Sequence, residues 1–439
     1  VQKRTGSLVS LLVLALGLVA CSSEITTIHP EPNTGQDMSE LDMGSDTNTP
    51  TDSGGTDQDQ PDLNDPDIAA PDLGVEPDME VDMGAPLRPI GPRPVTPTPV
   101  EMGTIFAAPT GSGTECTEQS PCSLTEATNQ AMAGDVVFLR GGVYLINGNI
   151  NFRGRGTTVP TVFESYPGEV AILDGSMFTS DQYVHIRVLG DPVIVRLITI
   201  RNMPKEGIAV RSSDHVLEGL TVHSNLLSGI HVHESYDTPS SNRNIIRDCV
   251  VYDNSGVGLG GSEFANGGNS DGISISSGIG NRVENCLVYD NSDDGIDVWR
   301  STDSYVGYSI VYGQGLGSGD GQGIKAGGFA PSARSHVEHC ISFSNRSAGF
   351  DFNSGAMVTF RHNTSWNNGR GFQLGSDTLS EKNLAFDDNA FGGAGTQNDN
   401  SWQRPGAPVP LSTDIQDPDF LKPAPNSGFE DLGARAGRE

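Results

Sequence analysis

The sequence predicts an all-β fold, a parallel β-helix, on three observations. First, a unit recurs from about residue 189. Leu197, Leu220, Cys249, Cys286, Cys340 and Asn363 each stand five residues before an asparagine, at 202, 225, 254, 291, 345 and 368. Most of these asparagines are followed by Gly and an apolar residue, as in Gly207-Ile208, Gly229-Ile230, Gly295-Ile296, Gly349-Phe350 and Gly371-Phe372. Second, the glycine spacing is that of a solenoid with loop insertions: 22 residues from 207 to 229, 23 from 272 to 295, 28 from 295 to 323 and 22 from 349 to 371. Third, the strands between the Asn/Gly turns are short and rich in β-branched residues, with 55 glycines and only 6% aromatics in the chain. That pattern fits β-strands stacked coil on coil, not a helical repeat.

Taken in order, the chain begins with Lys3 and Arg4 ahead of an apolar run from Leu8 to Leu18. The run is short for a membrane span and suits an export signal. It closes on Leu18-Val19-Ala20-Cys21, which resembles a bacterial lipobox and implies lipidation at Cys21. Residues 1–21 are therefore expected to be a lipoprotein signal. The Asp after the Cys that would resemble an inner-membrane retention signal is absent, since Ser22 and Ser23 follow. An outer-membrane lipoprotein, surface-exposed or released, is the expected location.

Residues 22–101 read as a disordered acidic tether. Pro-Asp units recur (Pro61-Asp62, Pro66-Asp67, Pro71-Asp72, Pro77-Asp78), hydrophobic periodicity is nearly absent, and like charges extend such a chain. The whole chain of 439 residues carries a formal charge of −30. This argues against nucleic acid or an anionic membrane surface as partner, leaving membrane contact to the lipid anchor alone. A polyanionic substrate would need a cation between it and the protein. A monomer is expected.

The folded domain is expected over residues 102–430, with 431–439 as a tail. Ser123-Leu124-Thr125-Glu126 is a capping box opening a short helix to about Met132, which would cover the unpaired end of the stacked sheets. A strand follows over 135–139. Cys116 and Cys122 flank a short loop and are expected either to form a disulfide or to stay as two free thiols. The asparagine column fits a ladder of stacked amides, repeating at about 4.8 Å. Cys249, Cys286 and Cys340 share one column and read as small interior side chains, since no CxxC spacing points to a metal.

Aligning the coils on Gly229, Gly272, Gly295, Gly323, Gly349 and Gly371 predicts an outward row two positions on: His231, Ser274, Asp297, Lys325, Asp351 and Gln373. Asp271 and Asp294 fall side by side one position before the glycine. Asp271, Asp293, Asp294 and Asp297 then converge on one edge, with Lys325 one rung further. An isolated DDG is ordinarily a solvated turn, and a lysine between aspartates ordinarily a weak surface ion pair. Four acids gathered by successive coils suit a hard cation such as calcium, and the small residues around Lys325 in Gly323-Ile324-Lys325-Ala326-Gly327-Gly328 leave room for a ligand.

With these residues in place, the chain resembles the family 9 pectate lyases, single-stranded right-handed parallel β-helix enzymes that cleave polygalacturonate by β-elimination. The resemblance rests on Ser270-Asp271-Gly272, on Asn291 to Asp297, on Gly321 to Gly328, and on Arg140-Gly141-Gly142-Val143-Tyr144 with Ile172 to Ser176. It implies that Asp271, Asp293, Asp294 and Asp297 hold Ca2+ and that Lys325 is the base. His231, Asp351 and Arg300 are candidate substrate-binding residues, Arg300 being also a weak candidate for the general acid. The expected activity is calcium-dependent lysis of an acidic polysaccharide, 4-linked galacturonan. A lyase for alginate or a glycosaminoglycan, and a non-catalytic glycan-binding lipoprotein, stand as alternatives. An inverting hydrolase is disfavoured, because it needs two carboxyls about 6.5–9.5 Å apart flanking the bond, whereas these acids are clustered.

Overall fold

The computed structural model describes residues 90–100, 104–156, 159–179, 182–233, 240–256, 265–328, 334–354, 357–386 and 389–436. The signal segment with Cys21 and the tether up to residue 89 lie outside the described residues.

The described strands form three parallel sheets, one of 12 strands and two of 10, and each strand pairs with its counterpart one coil away. Three-residue strands suffice because every coil turns a corner after each one. The inward residues stack as like on like. Ile230, Ile273, Ile296, Ile324, Phe350 and Phe372 follow one another in register and are fully buried. This single continuous core runs the length of the solenoid and supplies most of the stability, at about 25 cal/mol per Å² of apolar surface removed from water.

Buried amides secure the turns. Asn225, Asn254, Asn291, Gln314, Asn345 and Asn368 form a ladder, each accepting from the backbone N–H of the residue one coil earlier. Asn202 is not part of it, contrary to expectation. Met203 holds that position and donates its N–H to Asn225 Oδ1 at 3.0 Å. Asn202 sits one residue earlier, at φ 56°, in the left-handed conformation that asparagine tolerates. Leu197 is offset in the same way, with φ 58°, and Ile198 is the residue in line with Leu220. The Cys/Asn column skipped the coil that the glycine column had caught at Gly323, because Ser309 and Gln314 there replace the Cys and Asn. Two further ladders occur, Asn244–Asn281 and Asn363–Asn383–Asn400. Cys249, Cys286 and Cys340 are buried free thiols in one interior column.

The expected helix spans Leu124–Gln130, with Ser123 Oγ accepting from Glu126 N at 3.2 Å. It stops short of Met132, whose N–H donates to Asp135 Oδ2 at 2.8 Å to form the turn into the next strand. The helix buries Leu124, Ala127 and Thr128 over the first coils. Cys116 and Cys122 are joined by a disulfide.

Both expected domain boundaries move outward. Residues 90–100, assigned to the tether, run along the 12-stranded sheet: Arg93 pairs with Asp248 at 2.7 Å, and Thr98 N donates to Glu164 Oε1 at 2.8 Å. At the other end, Leu432 and Ala434, assigned to the tail, are fully buried beside Phe420 and Leu384.

Candidate functional site

The site lies on the outer face of the 10-stranded sheet that contains Ile230–Val232, Ile273–Ile275, Ile296–Val298, Ile324–Ala326 and Ala348–Asp351. Register fixes its central row. His231 pairs with Ser274, Ser274 with Asp297, Asp297 with Lys325, Lys325 with Asp351 and Asp351 with Gln373. The glycine ahead of each strand is a packing requirement. A Cβ on Gly295 would lie 2.3 Å from Val311 Cγ1 and 2.6 Å from Gly323 O.

Asp271, Asp293 and Asp294 come together in the turn that enters the strands, with one carboxylate oxygen of each within 4.8 Å of the others. Backbone N–H groups hold them in place: Asn269 N to Asp293 Oδ2 at 2.6 Å, Gln322 N to Asp294 Oδ1 at 2.7 Å, and Asp294 N to Asp271 Oδ1 at 3.3 Å. Gly319 is obligatory here, since a Cβ would lie 2.1 Å from Asp293 Oδ1. Asp297 follows on the strand and shares the electrostatic field of the group.

Burial, reinforced by Asp297, Asp293 and Asp294, pushes the Asp271 carboxyl well above the ordinary range. Burial does the same to Asp294, opposed by Lys325. Asp297 is pushed up to about 7 by burial, Lys325 opposing and Asp293 adding to it. Asp294 Oδ2 and Asp297 Oδ1 are buried; among the described residues Asp297 Oδ1 accepts no hydrogen bond, and Asp294 Oδ2 faces the Lys325 ammonium. The three grouped carboxylates of Asp271, Asp293 and Asp294 offer more lone pairs than the neighbouring N–H groups fill, which suits a hard divalent cation.

Lys325 Nζ lies 3.0 Å from Asp294 Oδ2 and 2.8 Å from Asp320 Oδ2. Burial disfavours its charge, but Asp297, Asp294 and Asp320 outweigh burial and raise its pKa. A groove of about 540 Å³ opens along the row, mostly over the earlier coils, lined by Glu206, Arg211, His231, Ser276 and Trp299 and closed by Asn353 one coil beyond Lys325.

Of the substrate-binding candidates, His231 lies in this groove, donating to or accepting from Ser276 Oγ at 3.0 Å and facing Glu206 Oε1 at 3.4 Å. Asp351 flanks Lys325. Arg300 lies apart from them, its guanidinium over the Trp299 ring at 4.6 Å. Sequence reading missed Asp320, Glu206 and Trp299. The 28-residue glycine spacing around Asp320 signalled an inserted loop but not where that loop would fold. Trp299 was visible at the end of the acidic strand, two residues past Asp297 and so on the same face.

The family described as "Pel9A-like, right handed beta helix region" matches residues 105–389. Pectate lyase L of Paenibacillus polymyxa (strain SC2) is 27% identical over 333 residues, covering 69% of this chain and 72% of the relative. Pectate lyase PEL9 of Emericella nidulans is 28% identical over 321 residues, covering 62% and 75%. The crystal structure of pectate lyase Pel9A superposes with a TM-score of 0.64 at 23% identity, over 75% of this chain and 91% of that one. A rhamnogalacturonan lyase structure gives 0.63 at 20% identity, over 76% and 100%. At these identities the two structures show a shared fold.

Proposed function

The chain belongs to the Pel9A-like right-handed beta-helix family of pectate-lyase-like polysaccharide lyases, and from that premise we propose that it cleaves 4-linked galacturonan by calcium-dependent β-elimination. The observation that carries this reading is the adjacency of Lys325 to the buried acid group across one rung of the sheet.

Asp271, Asp293, Asp294 and Asp297 would hold the ion. When bound, it would supply positive charge that neutralises the substrate uronate, favours an enolate-like intermediate and offsets the hold of the acids on the Lys325 proton. Lys325 takes the C5 proton, which lies alpha to the uronate carboxyl. The electron pair left at C5 forms the C4–C5 double bond and expels the 4-linked oxygen, which takes its proton from solvent water. Asp320 orients the Lys325 amine from the loop side. Ser228, Ser274 and Ser276 present hydroxyls to sugar units on the earlier coils, and Trp299 offers an apolar wall.

The deciding experiment is ultraviolet absorbance of unsaturated product from polygalacturonate, with calcium and with chelator. Absorbance that rises with calcium and stops with chelator supports the reading. Its absence on pectate together with its appearance on alginate or chondroitin moves the substrate. Export and anchoring rest on Lys3, Arg4, the run Leu8 to Leu18 and Cys21. Labelled palmitate incorporation that is lost in Cys21→Ser would support them, and no incorporation into the parent chain would remove them.

A further inference from the structure

We propose that Arg346 and Arg370, on the coils beyond Lys325, form a second carboxylate-binding subsite for a uronate unit next along the polymer from the one at the metal acids. The proposal deepens the lyase reading of the groove and rests on it for the identity of the polymer.

A pocket of about 330 Å³ lies past Lys325, lined by Gln322, Arg346, Asp351, Arg370 and Gln373 among others. Arg370 Nη1 donates to Gln373 Oε1, but its Nε is buried and has no hydrogen-bond partner among the described residues. A buried guanidinium N–H without an acceptor is costly, and a shift of the guanidinium towards an incoming carboxylate would relieve it. Arg346 Nη1 donates to Gly315 O at 2.9 Å and to Gly317 O, which fixes the guanidinium beside the same pocket.

Neither arginine is within ion-pair reach of a carboxylate among the described residues, whereas Arg334, Arg361 and Arg404 nearby pair with Asp303, Glu381 and Asp399. The chain has 56 Asp and Glu against 26 Lys and Arg. In such an excess of acid, two arginines unpaired at one groove are kept for an acid from outside. Asp351 is the acid facing this pocket. Burial raises its pKa, and its Oδ1 accepts from Asn353 N. Two guanidinium groups against one carboxyl leave the pocket cationic.

The placement suits an extended substrate. Lys325, Asp351 and Gln373 are consecutive in register, so the arginine pocket begins one to two rungs beyond the base, at about 4.8 Å per rung. A pyranose unit is of similar length to a rung. A chain lying along the solenoid axis with one uronate at the acids therefore brings a later uronate over Arg370.

The test is affinity electrophoresis in polygalacturonate and in carboxyl-reduced polygalacturonate, with calcium, in a Lys325→Ala background so that the polymer survives. Arg370→Gln and Arg346→Gln are each expected to weaken binding to polygalacturonate about tenfold. Arg370→Lys should recover part of it, and all forms should bind the reduced polymer alike. Circular dichroism and Tm check folding. Should Arg370→Gln fail to fold, Arg346→Gln, on an exposed loop, carries the test. Unchanged binding in the variants, or no binding by the parent, overturns the subsite. The two readings separate in steady-state assays on the Lys325 form. Product released by Arg370→Gln at the parental KM removes the subsite and leaves the lyase. Polymer binding that depends on Arg370 in a chain releasing no unsaturated product removes the lyase and leaves the subsite.

Discussion

Asp297 and Lys325 are register partners on adjacent strands, one buried carboxyl and one nearly buried amine on the same outward face. Each acts on the other. Lys325 opposes the upward shift of Asp297, and Asp297 is the largest single charge holding the proton on Lys325. In the absence of a cation the acids hold the proton on Lys325, so the amine is not a base. Whatever takes up the negative charge of the acids frees the amine, which makes ion binding and base strength one event.

If Lys325 carries the proton transfer, Lys325→Ala should lower the release of unsaturated product by at least about 10³-fold, within the range for loss of a positioned general base. Far-UV circular dichroism should not change, because the side chain lies outside the core. Activity within tenfold of the parent would remove Lys325 from the base role.

Asp320 raises the Lys325 pKa from the loop side, through a 2.8 Å contact. Removing it lowers that pKa, so the free amine appears at lower pH. Asp320→Asn is therefore expected to shift the acidic limb of the kcat/KM profile towards lower pH in saturating calcium. The carboxyl is more than half exposed, so solvent screening keeps the shift below about one pH unit. An unmoved limb would mean that the ion alone sets the basicity of Lys325.

The raised carboxyl of Asp297 has a stability consequence of definite sign. A buried acid with a folded pKa of about 7 against about 3.9 unfolded binds its proton more tightly in the native state. Its contribution is present at low pH and is lost as pH rises through 7. Asp297→Asn should therefore be more stable than the parent in chelator at pH 8, with the difference shrinking towards pH 5. Calcium should reverse the order, stabilising the parent and not the variant. Melting curves at pH 5 and pH 8, each with calcium and with chelator, check all four outcomes. Equal parental and variant Tm at pH 8 in chelator would show that Asp297 is not strained.

Asn291 links the ladder to the acid turn. Its Oδ1 accepts from Asn254 N at 3.1 Å and from Asn254 Nδ2 at 2.9 Å, and its Nδ2 donates to Gln314 Oε1 at 3.1 Å. Asn291→Ala strands buried donors on Asn254, at about 1–3 kcal/mol for each group left unsatisfied. A loss of about 3 kcal/mol in denaturant unfolding is expected. Weaker calcium binding should accompany it, because Ser292 and Asp293 follow directly. Unaltered stability would mean that water replaces the amide.

The columns were legible in the sequence because strand geometry has a period of two and the close-packed glycine marks the phase. Aligning Gly295 with Gly323 was enough to set Asp297 beside Lys325. Asp320 was not legible, since it reaches Lys325 from an inserted turn, whereas Glu206, directly before Gly207, shares the column of Asp271 and Asp294 and escaped only because the alignment began at Gly229. Asn202 was misplaced because asparagine suits both the ladder and the left-handed position before it. Arg370 was readable as a residue beside Gly371, but its lack of a partner is a property of the packed state.

Residues 90–100 carry the last prediction, because composition concealed their role. The segment runs back along the solenoid: Gly91 N donates to Tyr308 O at 2.7 Å, Arg93 pairs with Asp248, and Thr98 meets Glu164, which lies several coils earlier. Glu164 is fully buried, and Thr98 supplies two of its donors, N to Oε1 at 2.8 Å and Oγ1 to Oε2 at 3.0 Å. Asp248 is nearly as buried and takes both Nε and Nη2 of Arg93. Removing the segment leaves two interior carboxylates short of partners, where breaking a buried pair costs more than a surface pair contributes. Arg93 is about one-third exposed, which lowers that cost to about 2 kcal/mol. A chain starting at residue 90 should therefore melt at the parental Tm, and one starting at residue 102 several degrees lower, with Arg93→Ala in between. Identical melting of the two truncations would make the strap a passive passenger, and the stability of the coils would then rest on the ladders and the stacked core alone.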